Sequence, residues 1–495
     1  MNKFFMVFAV FVLMVSAVFA GGSSSKTAAQ AGPDSAFFNR PVQGSITVSA
    51  YDSMMYRSYL EEAARAFEAR YPGTKVNIET FSAMPEIRNM EQTNMRATTV
   101  QAQDDSQGRA DYLSRVNTNL MSGTGADLYA MDVLPIHKFA ASGTLENLEP
   151  YMNMDSKFNK ADYRRNILDA LHYKNGTWFI PMDYTFNYFA YDSTLVPAAI
   201  ASGFGTDKSF NTNDLLKLGI PLYNGSYKLF NTLDYVRGQG GMFSQLLGEN
   251  IQSFVNLDTG RPNFVDGKFT GLLASVSGSA EKGYIPRGVT GQQNAGQIMQ
   301  RAQAPTDRFF FKLNGNVSLI SQFTRGSGMM MRMMTSGSSP AIEDDDQIAG
   351  IQAFADGSVP FNFNQGFGIN SQSKNKETAW AFIKFLLSRE MQLSTNIMSF
   401  GLPLNNAARA EKAELSFSGA QFGMPASMSD QQRRNLESYK AAVEKLSDSI
   451  NAYVIRDTSL NDMIAQEVQY YFGGSRTADE VARVLQNKAD LYLSE

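Results

Sequence analysis

The segment from residue 45 to residue 80 constrains the fold more than any other. Ser45-Ile46-Thr47-Val48-Ser49-Ala50 is a short β-branched run, as a strand requires. Tyr56, Leu60, Ala63, Phe67 and Tyr71 then recur at helical spacing and share one face, and Pro72-Gly73 stops the helix. Lys75-Val76-Asn77-Ile78-Glu79-Thr80 alternates as a second strand. Strand, helix and strand with short joins make the two strands parallel, because the crossover returns the chain to the same end of the sheet. A parallel sheet is covered by helices on its faces. The pattern therefore predicts an α/β protein, and 495 residues suffice for two or more domains.

Later segments extend the pattern. Residues 86–120 read as helix. Asp127-Leu128-Tyr129-Ala130-Met131 reads as a buried strand, and Thr177-Trp178-Phe179-Ile180-Pro181 as another, ended by proline. Residues 201–300 hold many Gly, Asn and Ser and read as loop-rich, variable surface. From Lys376 to Leu387 a helix gathers Ala379, Ile383, Leu386 and Leu387 on one face. Thr477-Ala478-Asp479-Glu480, after Gly473-Gly474, is a capping box that opens a closing helix carrying Val481, Val484, Leu485, Ala489 and Tyr492.

The N-terminus reads as an export signal. Lys3 precedes an apolar run from Phe4 to Phe19, interrupted by Ser16, and Val18-Phe19-Ala20 places small residues at the two positions read by signal peptidase. A membrane anchor is the rival reading, but it needs roughly 20 apolar residues, and the small-residue end favours cleavage. Residues 1–20 are thus expected to be a cleavable signal peptide, and the Gly-, Ser- and Ala-rich residues 21–43 a flexible linker. Cysteine is absent, which removes disulfides, thiolate chemistry and any lipid-bearing cysteine at the junction. No second long apolar run follows, so the mature protein is expected to be soluble. The formal net charge of -4 gives no basic face for nucleic acid or anionic membrane.

In order and spacing, several segments resemble the family 1 extracellular solute-binding proteins, the group that includes maltose-binding protein. The opening helix ends Phe67-Glu68-Ala69-Arg70-Tyr71-Pro72-Gly73, as the family's does. Ser122-Gly123-Thr124-Gly125-Ala126-Asp127-Leu128 is similar to its small-residue turn, with Ala126 where Pro is usual. Gly143 to Leu148, Asn175 to Pro181, Phe189 to Asp192 and Gly326 to Met330 match further segments. Phe367-Gly368-Ile369 through Leu387, then Gly401-Leu402-Pro403, completes the series.

The resemblance implies a periplasmic-binding-protein fold, with two α/β lobes joined by a hinge and a ligand cleft between them. On that template the crossings fall near residues 181–186, 366–370 and about 420. The N-terminal lobe is then 44–183 plus 369–420, and the C-terminal lobe 184–368 plus 421–495. The implied function is capture of a small polar ligand, a mono- or oligosaccharide, for delivery to the permease subunits of an ABC importer. Such a protein acts in the periplasm as a monomer, without cofactor, metal or catalysis. The missing lipid-attachment cysteine sets the chain apart from lipoprotein members, and only two tryptophans put a Trp-lined sugar site in doubt.

A sugar needs aromatic planes for its ring face and oxygen or amide groups for its hydroxyls. Tyr51 and Asp52 follow the first strand at its carboxyl end, where α/β sheets bind ligands; Asp52 equally suits a helix cap. Met131 and Asp132 end another strand. Asp183, Tyr184 and Phe186 follow Pro181 at the first crossing. Phe243 and Gln245 lie where relatives place an aromatic contact, and Thr335 and Ser336 follow a Met-rich run. Phe363 and Gln365, between Phe361 and Phe367, surround the second crossing. Asp127, Tyr188, Tyr191, Trp178 and Trp380 read as structural or core.

Other chemistries find less support. Met329 to Met334 suits a buried strand better than a copper site. Glu343 to Asp346 lacks calcium-loop spacing. His137 and His172, with no HExxH, make no zinc motif. A two-carboxylate hydrolase is not excluded by composition, though no G-x-S-x-G, P-loop or paired S-x-x-K motif is present. A polyamine, peptide or ferric ion remains an alternative ligand.

Overall fold

The computed structural model describes residues 33–51, 56–81, 106–231, 239–286, 308–314, 346–394, 401–418, 430–453 and 457–494. The expected signal peptide, Asp52, Thr335, Ser336 and the Met-rich run lie outside these residues, as does most of the acidic stretch.

Two five-stranded sheets organise the chain. In the first, Thr74–Phe81, Gly44–Tyr51 and Leu128–Ala130 run parallel, Ile46 opposite Val76 and Val48 opposite Leu128. The helix Tyr56–Arg70 joins the first two, as the apolar spacing predicts. It ends where Gly73 takes a φ of 94°, a left-handed turn that glycine adopts without a Cβ clash. Gly366–Ile369 then enters antiparallel between Leu128–Ala130 and Ile180–Pro181. The expected strand at 177–181 joins the sheet only at its last two residues. Thr177 instead bonds Asn147 and Leu148 through its backbone, and the Trp178 indole donates to the Tyr173 carbonyl at 3.0 Å.

The second sheet runs Ser209–Phe210, Asp346–Gln352, Tyr188–Asp192, Phe309–Asn314, Lys228–Asn231. Its central strand is antiparallel to both neighbours. Residues 201–300 are more helical than expected, with helices at Thr212–Gly219, Gln239–Phe254 and Lys268–Glu281. Asn211 and Asp214 cap the first reciprocally. The others bury Met242, Phe243, Leu246 and Leu247, and Phe269, Leu273 and Val276. This apolar stripe stabilises helices whose Gly and Ser content disfavours them in isolation.

The first hydrophobic core surrounds the first sheet and also takes in Tyr188, Ala190 and Ile351 of the second, whose Phe189, Phe311 and Ala349 pack in the second core. Chain passage between the cores defines the lobes. The chain leaves the first sheet after Pro181, returns with Gly366, and crosses again between Ile450, in the first core, and Leu460, in the second. This third passage comes later than the expected 420. The helix Asp430–Asp448 stays with the first lobe, because Val443 and Leu446 pack into its core. Arg164 also binds Glu444 at 2.6 Å and Asp448 at 2.6 Å on that helix. The linker boundary at 43 is corrected too: Phe37 is buried and meets the Tyr151 ring edge-on at 5.2 Å, and Arg40 pairs with Glu377 at 2.5 Å. An aromatic side chain amid small residues anchors the segment's end.

Candidate functional site

Three segments that the fold brings together line a recess between the crossings. Met131, Asp132 and Leu134 follow the strand Leu128–Ala130 at its carboxyl end; Asn362 and Phe363 lie on the returning crossing; Tyr453 ends the short strand Ala452–Tyr453. That strand pairs in parallel with Pro360–Phe361, which delivers Tyr453 beside Phe363. The recess is a shallow one, with a free volume of about 10 Å³, room for about one water molecule.

One wall is aromatic. The Tyr453 ring lies 5.7 Å from Phe363, 5.2 Å from Phe179 and 5.6 Å from Phe361. The unpartnered buried polar atoms in the lining are oxygens. Asp132 Oδ1 and Asn362 Oδ1 are both buried without a hydrogen-bond partner among the described residues. Burial raises the Asp132 carboxyl to about 7, against a smaller opposing effect of its own backbone N–H. Among the described residues no lysine or arginine lines the recess. It can therefore receive hydrogen-bond donors beside an apolar ring surface.

Met131, Asp132 and Phe363 are the sequence-predicted residues that share this recess. Gln365 is adjacent and half-buried, its carbonyl accepting from Met182 N at 2.8 Å. Asp183 is buried in a structural role, accepting from Asn364 N at 2.8 Å, Asn364 Nδ2 at 3.0 Å and Gln365 N at 3.2 Å. A Cβ on Gly401 would stand 2.3 Å from Asp183 Oδ2, so glycine is required there for the approach. Tyr184 and Phe186 are fully buried in the first core. Tyr51 stacks with Phe81 at 6.1 Å and contacts Tyr112 at 5.6 Å. Phe243 packs on Phe269 and Phe472 in the second core. Gln245 donates to Thr212 Oγ1 in a buried network around Glu249. Trp178 and Trp380 are buried, as expected.

Sequence reasoning passed over Leu134, Asn362 and Tyr453. Asn362 sits between two phenylalanines already singled out, and that interleaving is a usable signal. Tyr453 carries none, since only the fold brings it near.

Two mixed sheets joined by three passages that flank a recess make the two-lobed fold of solute-binding proteins. The chain belongs to the family described as bacterial extracellular solute-binding protein, which it matches over residues 51–393. Among solved structures it is similar to the sugar-binding protein MalE of Xanthomonas citri, at 14% identity and a TM-score of 0.54, covering 91% of this chain and 98% of that one. A family 1 extracellular solute-binding protein from Alicyclobacillus acidocaldarius is 15% identical with a TM-score of 0.52, covering 92% and 100%. A designed cysteine esterase shares the fold at 13% identity and a TM-score of 0.54, covering 92% and 99%; this chain has no cysteine to supply that nucleophile. No curated protein matches the chain. These similarities establish the fold and the family.

Proposed function

We propose that this protein captures a neutral polyhydroxylated solute, a mono- or oligosaccharide, outside the cytoplasm and delivers it to the permease of an ABC importer. The observation that carries the reading is the pair of unpartnered acceptors, Asp132 Oδ1 and Asn362 Oδ1, beside the Phe363 and Tyr453 rings. A buried acceptor left unpaired costs about 1–3 kcal/mol, which a ligand hydroxyl restores. The rings suit the apolar face of a pyranose. Among the described residues no cation lines the recess to pair with an anionic sugar. The sugar-binding description of the Xanthomonas relative supports the same class. Family membership supports the importer and the extracytoplasmic location. The two cores support a division into an N-terminal lobe containing the first sheet and a C-terminal lobe containing the second.

A thermal-shift screen of residues 21–495 against sugars, polyamines, amino acids and metal ions tests the reading. A ligand at 100 times its Kd stabilises by about 2.7 kcal/mol. A neutral sugar recovered unmodified is the expected hit. A polyamine or metal hit alone overturns the sugar assignment, and conversion of the hit into products overturns the binding-protein assignment.

A further inference from the structure

The chain segments that line the recess do not end there. Met131–Leu134 runs on into the helix Ile136–Ala141, whose Ile136 and Phe139 belong to the first core. Beyond Tyr453 the chain reaches Asp457, which caps the helix Thr458–Phe472 by accepting from Leu460 N at 2.9 Å; that helix packs in the second core. The two continuations meet. His137 Nε2 stands 3.4 Å from Asp457 Oδ2, with the side chains only 4% and 2% exposed. Neither His137 ring nitrogen makes a hydrogen bond among the described residues.

The surroundings hold this contact between the lobes. Tyr492, on the C-terminal helix of the second lobe, donates its hydroxyl to the Asp457 carboxylate at 2.9 Å. Lys138, next to His137, donates to the Tyr492 carbonyl at 2.7 Å and lies 3.7 Å from the centre of the Tyr492 ring. Nearby, Arg109 of the first lobe binds Asp462 of the second at 2.7 Å. The charged and titratable groups facing His137 are thus Asp457 from the capped helix, Tyr492 beyond it, Lys138 on its own helix and Lys174 from the adjoining turn.

We propose that the His137–Asp457 contact is a proton-sensitive joint between the lobes, docked when His137 is neutral and loosened when it takes up a proton. Docked, the imidazole is stripped of water and has no acceptor in hydrogen-bonding geometry among the described residues to replace it. Burial is the largest influence and disfavours the cation; Lys138 and Lys174 act in the same direction, and Asp457 opposes them. With the lobes apart, water reaches the ring and restores the ordinary value near 6.5. The separated state then binds the proton better. Above about pH 6.5 docking is independent of pH, and below it the docking constant falls by up to about tenfold per pH unit. Because the recess is bounded by the same two segments, loosening the joint opens its walls. The inference rests on the solute-binding reading only for that consequence, release of ligand into an acidic medium.

The test needs no ligand, so its failure leaves the solute-binding reading untouched, and failure of the ligand screen leaves the joint untouched. The chain has no cysteine, so spin labels can be placed at Arg70→Cys in the first lobe and Lys217→Cys in the second, both exposed. The interlobe distance is measured by pulsed electron resonance at pH 7.5 and 5.0, with and without His137→Gln. A changed distance at pH 5.0 that His137→Gln abolishes is expected. An unchanged distance, or the same change in the variant, overturns the proposal. The chain has two histidines, so imidazole NMR of the unsubstituted protein gives a second readout should the variant not fold. A His137 midpoint below about 6.5 is expected; a midpoint at or above it overturns the proposal.

Discussion

Replacing Asp183 by alanine separates a scaffold role from a ligand-binding one. Its carboxylate holds the first crossing to the second through Asn364 N, Asn364 Nδ2 and Gln365 N. Hydrogen bonds to a charged group contribute about 1.5–3 kcal/mol each, but they are not additive, and the exposed Asn364 side chain turns to water when released. The two backbone N–H groups are the costly loss, at about 1–3 kcal/mol apiece if left dry. Asp183→Ala should therefore destabilise the first lobe by about 3–5 kcal/mol. For a unit of that size the corresponding fall in Tm is about 6–20 °C. Asp183→Asn keeps one acceptor but sets an amide donor against the Asn364 Nδ2 donor, and should cost about half as much. The assay is calorimetric or circular-dichroism melting of the unliganded protein, compared with ligand affinity for the Asn variant. A Tm within 1–2 °C of the parent, with affinity lost, would refute the scaffold argument and return Asp183 to the ligand site.

Further outcomes follow from other sites. Asp132 has a raised carboxyl value, so the folded protein holds this proton more tightly than the unfolded chain. Its contribution to stability falls as pH rises from about 4 to about 7 and is flat beyond. Asp132→Asn should remove that part of the pH–Tm profile and, if the recess is the site, weaken ligand binding about tenfold or more by titration calorimetry. Glu249 accepts from Thr212 N at 3.0 Å, Thr212 Oγ1 at 2.7 Å and Gln352 Nε2 at 2.7 Å. Glu249→Leu should strand these donors and cost about 2–4 kcal/mol in melting experiments, whereas Glu249→Gln should cost less at pH 8, since burial already lifts the carboxyl to about 7. Thr477→Ala removes the cap that bonds Glu480 N at 3.2 Å; about 1 kcal/mol should be lost, with faster amide exchange confined to the first turn of the last helix.

The architecture was legible wherever local physics decides. The first strand, helix and strand stand as the residue pattern gives them, because apolar periodicity and a Pro-Gly stop act within a few residues. The Thr477–Glu480 capping box is likewise a local device, and it forms. The helices of residues 201–300 were not legible, since their stability comes from stripes such as Met242, Phe243, Leu246 and Leu247 meeting a distant core. The end of the first lobe was missed for the same reason: nothing near residue 420 shows that Val443 and Leu446 pack on a core built mostly from the first half of the chain. At the recess, strand-end position pointed to Met131 and Asp132, and aromatic density pointed to Phe363. Tyr453 comes from a two-residue strand whose partner lies some ninety residues earlier, and no local rule reaches that far. Tyr184 and Phe186 stand close to the crossing, as expected, but turn into the core.

The insertion of Gly366–Ile369 between Leu128–Ala130 and Ile180–Pro181 bears on how the chain is born. Four strands of the first sheet lie between Gly44 and Pro181, and the one that joins them comes nearly two hundred residues later. The second lobe, in turn, awaits Val481 and Leu485, some three hundred residues after its strand Tyr188–Asp192. Neither body can close early, and contacts of such long sequence separation form slowly. Lateness of this kind keeps a nascent polypeptide open and unclosed for longer.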